Sequence, residues 1–202
     1  MSTTEPIDAL KLRDELRVLL SKRQKQPYNV TTERRAGVLL IFYPRDNSPY
    51  ILFTKRSNEV AEHKGEISFP GGAYDREDET ILQTALRESR EELGLNVGEF
   101  EILGELDDVY VPPTRFLITP FIAFVNQPPK PKPSASEISE VIEIPVLELL
   151  NPSIFREELR EPEGMKRYLQ FYNYEEYVIW GATARILKQF LDLVSIIIHE
   201  SH

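Results

Sequence analysis

Four residues in one short span are best suited by type and spacing to do chemistry: Arg87, Glu88, Glu91 and Glu92, within FPGGAYDREDETILQTALRESREELGL from Phe69 to Leu95. On a helix advancing ~100° per residue, Glu88 and Glu92 point the same way and Glu91 lies one position to the side. Three carboxylates so crowded repel one another unless positive charge sits among them. Arg87 can pair with Glu91 at i, i+4 spacing. For the remaining charge the fitting partner is a hard divalent cation, Mg²⁺ or Mn²⁺, which favours carboxylate oxygens. Upstream, Gly71 and Gly72 predict a turn that leads through a polar loop into the helix, with Gly72 able to approach the same metal. A charged run of this kind is ordinarily a solvated helix face. Here the opposite stripe of Leu82, Leu86, Ser89 and Leu93 has helical spacing and predicts a core side facing away from an acidic side.

The segment resembles the signature of the Nudix hydrolases: a glycine, an acidic residue, then Arg-Glu-x-x-Glu-Glu-x-Gly. Members of that family cut a nucleoside diphosphate linked to another moiety. Gly72 is followed by five residues and then Asp78, and the spacing on to Arg87 is one residue longer than usual. That longer form is similar to the coenzyme A diphosphatase branch of the family. Two further segments carry the same resemblance. One is Leu52-Phe53-Thr54-Lys55-Arg56-Ser57, then Gly65, then Phe69-Pro70-Gly71-Gly72; the other is YVPPTRFLITP from Tyr110 to Pro120. Where the branch typically carries an arginine four residues after the Ser57 position, this chain has Ala61.

The resemblance implies attack of water on one phosphorus of a diphosphate, assisted by Mg²⁺ or Mn²⁺. It assigns Glu88 and Glu92 as metal ligands. Glu91 is a further ligand or part of the base machinery, with Glu137 and Glu140 as alternative bases. Arg87 is expected to orient a carboxylate, and Gly72 to lend its backbone carbonyl. Asp78 and Glu79 are expected to shape the loop. Lys55, Arg56 and Lys64 could meet substrate phosphates, although Lys64 reads more simply as a solvated cation and His63 as a structural hydrogen-bonding residue. Coenzyme A or its esters would then give 3′,5′-ADP and 4′-phosphopantetheine or its acyl derivative. Ala61 keeps ADP-ribose, a dinucleotide or a nucleoside triphosphate open as alternative substrates. A non-hydrolysing sensor of the same fold would be marked by lost glutamates, and all three are present.

The elements that must position these residues follow from pattern. A chain of 202 residues, 41% hydrophobic, suits one domain with a sizeable core. An amphipathic helix is predicted over about 7–25 as an N-terminal extension. Apolar strands are expected at 36–42 and 50–54, joined as a hairpin, and a charged loop at 55–68. Further strands are expected at 100–110 and 116–125, with Thr119-Pro120 marking a bulge or an edge. A proline-rich exposed loop, 127–136, precedes a strand at 140–145 and a short helix at 146–150. Residues 151–166 read as irregular, 168–172 and 176–179 as a hairpin, and 180–194 as a helix. This order fits the α/β/α sandwich of the resembled family, a mixed sheet between helices.

The net charge of −9 argues against broad nucleic-acid binding and requires that a phosphorylated small molecule be held by metal and a few placed cations. The chain has no cysteine, no run approaching the ~18 apolar residues of a membrane helix, and no apolar signal core at its start. A cytoplasmic protein without membrane partners is the expectation. The apolar run Val194–Ile198 is a candidate surface for a homodimer.

Overall fold

The computed structural model describes residues 7–26, 28, 30, 34–57, 65–161 and 166–200. Asp8 caps the first helix, α1 (Ala9–Lys22), its carboxylate accepting from the Leu10 and Lys11 amides at 2.9 and 3.0 Å. Leu12, Leu16 and Leu20 form its buried stripe. Strands β1 (Arg35–Arg45) and β2 (Ser48–Arg56) make an antiparallel hairpin. The turn residues Asp46 and Asn47 both have positive φ, as a two-residue hairpin turn that follows the strand twist requires.

Toward its open end the hairpin splays, and the next segment fills the gap. Strand β3 (Ile67–Ser68) pairs with Thr54 and Lys55 of β2, and β4 (Gly71–Ala73) pairs with Ala36–Val38 of β1. Gly71 and Gly72, expected as a turn, therefore belong to a short strand. Helix α2 (Ile81–Leu93) follows, capped by Thr80 and ended by Gly94 in the left-handed region.

The expected strand at 100–110 is divided into β5 (Glu101–Glu105) and β6 (Val109–Val111). Both pair with β7 (Phe116–Phe124), which on its other side runs parallel to β1. Thr119 and Pro120 are thus interior to the sheet rather than on an edge. Proline is accommodated because the neighbouring strand is broken opposite it, and the Leu106 amide reaches in to the Pro120 carbonyl at 2.9 Å. Strand β8 (Ile138–Pro145) closes the other side of β2, followed by α3 (Val146–Leu149). Among the described residues the main sheet has eight strands and mixed pairing.

Side chains alternate along β1 between two buried layers. Leu39, Ile41 and Tyr43 pack with Ala85 and Leu93 of α2, whereas Leu40 and Phe42 pack with α1 and α4 (Gly181–Glu200). Burial on both faces is why this strand reads as an unbroken apolar run. Each fully buried leucine or phenylalanine in these layers contributes about 1.5–3 kcal/mol. The result is the expected sandwich, a mixed sheet between helices.

A second, three-stranded sheet is built from β9 (Phe155–Arg160), β10 (Arg167–Tyr174) and β11 (Tyr177–Trp180). Strand β9 lies in the stretch expected to be irregular. Its sequence, FREELR, hides the alternation because charges occupy both faces, and Arg156 and Arg160 both pair with Glu158. The run Val194–Ile198 is largely turned inward: Val194 and Ile197 are buried in the core and Ile198 packs against it, leaving Ile196 exposed. Its apolar character is thus mostly explained by the chain's own core, which removes the main reason for reading it as a dimer face. No helix among the described residues is long and apolar enough to cross a membrane.

Candidate active site

The wedge of β3 and β4 brings the glycine pair under α2. The Gly71 amide donates to Glu92 Oε2 at 3.2 Å. Gly72 lies so close to Glu88 that a Cβ built there would stand 2.5 Å from the Glu88 Cδ. Only glycine lets strand and carboxylate approach this closely. Gly71, at φ +146°, is equally constrained, since an added Cβ would meet the Gly37 carbonyl oxygen at 2.3 Å.

The three glutamates are not equivalent. Glu88 is half-buried, Glu91 is exposed and Glu92 is buried, at 3% exposure. The buried stripe of α2 is Thr84, Ala85, Ser89, Glu92 and Leu93, while Leu82 and Leu86 are only partly covered. The expected separation into core and acidic sides is corrected accordingly: Glu92 sits on the core side, where the helix crosses the glycine strand. Small residues at 85 and 89 allow that close crossing.

Arg87 gathers the acidic groups. Its guanidinium makes two bonds to Asp78, Nε to Oδ1 at 3.0 Å and Nη2 to Oδ2 at 2.9 Å. Nη1 donates to Glu88 at 2.7 Å and Glu91 at 3.0 Å, and Nη2 reaches the Ala73 carbonyl at 3.3 Å. Asp78, nearly buried, also accepts from the Thr84 hydroxyl at 2.9 Å and the Asp75 amide at 3.1 Å. The Arg87 bonds hold its carboxyl well below the usual range, and the same contact raises Arg87. This bidentate pair was not read from sequence, where Asp78 stood only as a loop residue nine positions before the arginine. Glu79 exchanges hydrogen bonds with Gln83 at the helix start.

Glu92 is the electrostatic anomaly. Burial pushes its carboxyl up to about 7, the Gly71 amide and Arg56 oppose the shift, and the charges of Glu88 and Glu137 reinforce it. Arg56 Nη1 stands 3.9 Å from Glu92 Oε1. Glu137 is carried here by the proline-rich segment, which is fastened to the end of α2 by the Lys132 amide on Leu93 O at 2.7 Å and the Ser134 amide on Glu92 O at 2.8 Å. Glu140 is committed elsewhere. Tyr177 donates to it at 2.6 Å and Lys55 pairs with it at 3.2 Å, which together lower its carboxyl. The structure thus brings Gly71, Gly72, Glu88, Glu92 and Arg56 together with Glu137 nearby; exposed Glu91 shares Arg87 Nη1 with Glu88, and Lys55 lies on another face. Ala61, His63 and Lys64 lie outside the described residues.

No three His, Cys, Asp or Glu side chains among the described residues already form a metal cluster. The donor chemistry nevertheless fits a hard divalent cation. Burial, reinforced by the charges of Glu88 and Glu137, raises the Glu92 carboxyl, half-buried Glu88 is beside it, and both offer carboxylate oxygens.

Residues 33–169 match the family model described as NUDIX domain. The chain belongs to the Nudix family. It is 32% identical over 167 residues to the uncharacterized Nudix hydrolase NudL of Enterobacter sp. (strain 638), covering 83% of this chain and 86% of that relative. The NudL protein of Photorhabdus laumondii is 31% identical over 163 residues, covering 81% and 86%. A MutT/nudix family protein from Enterococcus faecalis superimposes with a TM-score of 0.53 at 14% identity, covering 88% of this chain and 68% of that one, a likeness of fold. This Nudix chain is therefore a hydrolase of diphosphate linkages, in a family that generally uses divalent metal ions.

Proposed function

We propose that this Nudix hydrolase cuts the diphosphate of coenzyme A or its esters, releasing 3′,5′-ADP and 4′-phosphopantetheine or its acyl derivative. The observation that carries the chemistry is the crossing of α2 over β4, which puts Glu88 against Gly72 and Glu92 on the Gly71 amide. Support for the substrate comes from LFTKRS, FPGG and YVPPT, the segments that resemble the coenzyme A branch. The first two meet at this crossing, since Arg56 approaches Glu92 while Gly71 binds it.

Glu88 and Glu92 would hold Mg²⁺ or Mn²⁺, which when bound neutralises phosphate oxygens and makes water easier to deprotonate. Arg87 fixes Glu88 from behind, anchored in turn by Asp78. Arg56 binds a phosphate oxygen beside the carboxylates. Glu137, whose charge already acts on Glu92, accepts the proton of the attacking water; Glu91, exposed and held by Arg87, is worse placed. The bond from the attacked phosphorus to the bridging oxygen breaks, and the displaced phosphate leaves with that oxygen.

The test is a panel of diphosphates ranked by kcat/KM with Mg²⁺ or Mn²⁺. Coenzyme A or an acyl ester is expected at the top. ADP-ribose, a dinucleotide or a nucleoside triphosphate above it would favour the alternative that Ala61 raises.

A further inference from the structure

The proline-rich segment contains Pro131-Lys132-Pro133-Ser134, in which residues without an amide hydrogen alternate with residues that have one. Both available amides go to the end of α2, Lys132 to the Leu93 carbonyl at 2.7 Å and Ser134 to the Glu92 carbonyl at 2.8 Å. Those carbonyls are among the last four, which a helix leaves without an intrahelical partner. In an extended chain successive amides point opposite ways, and the prolines take the positions whose amides would face away from the helix. Each proline also keeps the residue before it extended, which holds Lys132 in that geometry. The segment lies close against the helix end: a Cβ built on Gly94 would stand 3.3 Å from the Lys132 Cβ. The sequence is suited to a one-sided strap across the end of α2.

From the strap, backbone hydrogen bonds lead around the candidate active site. Ser134, whose amide is on Glu92, turns the chain by accepting at its own carbonyl from the Glu137 amide at 2.9 Å and the Ile138 amide at 2.8 Å. The Glu137 carbonyl in turn accepts from the Ser57 amide at 2.7 Å. Ser139, at the start of β8, secures the same junction, its hydroxyl donating to the Lys55 and Arg56 carbonyls at 3.1 and 3.3 Å. Arg56 then approaches Glu92 from the far side, at 3.9 Å. Glu92, Glu137 and Arg56 are thus joined through Ser134 and Ser57. The Glu137 side chain is exposed, so backbone on either side of it sets where it stands.

We propose that Ser134 is a positioning residue, whose main-chain bond to Glu92 sets the place of Glu137 relative to the carboxylates of α2. This rests on the reading of Glu137 as the general base. A base must stand within hydrogen-bond reach of the attacking water, and that water is defined by groups on α2. A base carried on a loop held only at its ends would sample many positions. Here the loop is fastened to the backbone of Glu92 itself, so helix and base move together.

Hydrogen exchange and a double-mutant cycle test the proposal. In metal-free protein, NMR should find the Ser134 and Glu137 amides exchanging at least about ten-fold more slowly than the Ala135 amide, and Ser134→Pro should release Glu137. With Mn²⁺ and the diphosphate that heads the panel above, Ser134→Pro should lower kcat by about 10²-fold, with KM within about two-fold of wild type. Ser134→Ala keeps the amide and should recover that rate. In Glu137→Gln, adding Ser134→Pro should cost less than about two-fold more, because the group it positions is already gone. If Ser134→Pro melts early, Lys132→Pro, which removes the other strap bond, enters the same cycle. Unprotected amides, an unchanged kcat, an equal loss in Ser134→Ala, or losses that multiply with that of Glu137→Gln would overturn the proposal. Wild-type turnover by Glu137→Gln refutes the base and, with it, the role of the strap. A slow Glu137→Gln beside fast proline variants refutes the strap alone.

Discussion

The Glu88 carboxylate occupies the space that a side chain on residue 72 would need, with only 2.5 Å between the Glu88 Cδ and a Cβ built on Gly72. The neighbour in the way is the far end of a flexible side chain, not backbone. Gly72→Ala should therefore displace Glu88 at little cost to folding. The expected outcome is a thermal midpoint close to wild type with turnover reduced on the order of 10²-fold, because a catalytic group has been moved by about an ångström. Parallel melting curves and steady-state rates check it; a variant that melts early and keeps its specific activity would contradict the assignment.

Asp78 and Arg87 form a two-bond pair behind the site, and removing one partner leaves the other uncompensated. At neutral pH Asp78→Asn should lose about 3 kcal/mol of stability, the lower range for breaking a buried pair. The pH dependence has a definite sign. Asp78 is depressed below its ordinary 3.8 in the folded state, so its stabilisation is fully present above that value and is lost as pH falls below it. Urea titrations from pH 7 to pH 3 should show a gap between wild type and variant that holds down to about pH 4 and begins to narrow only below it. A constant gap would mean the loss is one of packing.

Glu137 and Glu91 can be ranked directly. If Glu137 takes the proton, Glu137→Gln should lower kcat by ~10²–10⁴-fold, the usual contribution of a general base, with Glu91→Gln at least about ten-fold less affected. The reverse order in steady-state kinetics would return the role to the exposed glutamate.

Arg56, placed to bind phosphate, is expected to act chiefly on affinity. Arg56→Ala should raise KM by about ten-fold or more, with kcat reduced less, reflecting loss of a charge-assisted contact worth ~1.5–3 kcal/mol. An unchanged KM for the best diphosphate would remove Arg56 from the binding site.

Much of this architecture was legible in the chain. The unbroken apolar run at 36–42 announced a strand buried on both faces, and RESREEL announced a helix with carboxylates in register. What the pattern concealed was set by tertiary packing. The buried position of Glu92 could not be read from helical spacing, because it depends on a glycine strand passing beneath the helix. Gly71 and Gly72 looked like a turn for the same reason: glycine serves close approach as readily as reversal. Strand β9 was obscured by ion pairs between side chains of the same strand, and Pro120 looked like an edge marker because the break in its neighbour lies in another segment. Glu137 gained its position from backbone bonds between the proline-rich segment and the last turn of α2, which no local pattern encodes.

The central claim is that the Glu88 and Glu92 carboxylates hold the metal that makes diphosphate cleavage possible, with coenzyme A as substrate. The most direct measurement is chromatographic detection of 3′,5′-ADP and 4′-phosphopantetheine from coenzyme A, with Mn²⁺ omitted and restored, in wild type and in Glu92→Gln. Wild type should release both products only when metal is present, and the variant should lose at least ~10³-fold in rate at any metal concentration. Product release at the wild-type rate by Glu92→Gln, or release by wild type without metal, would contradict the account.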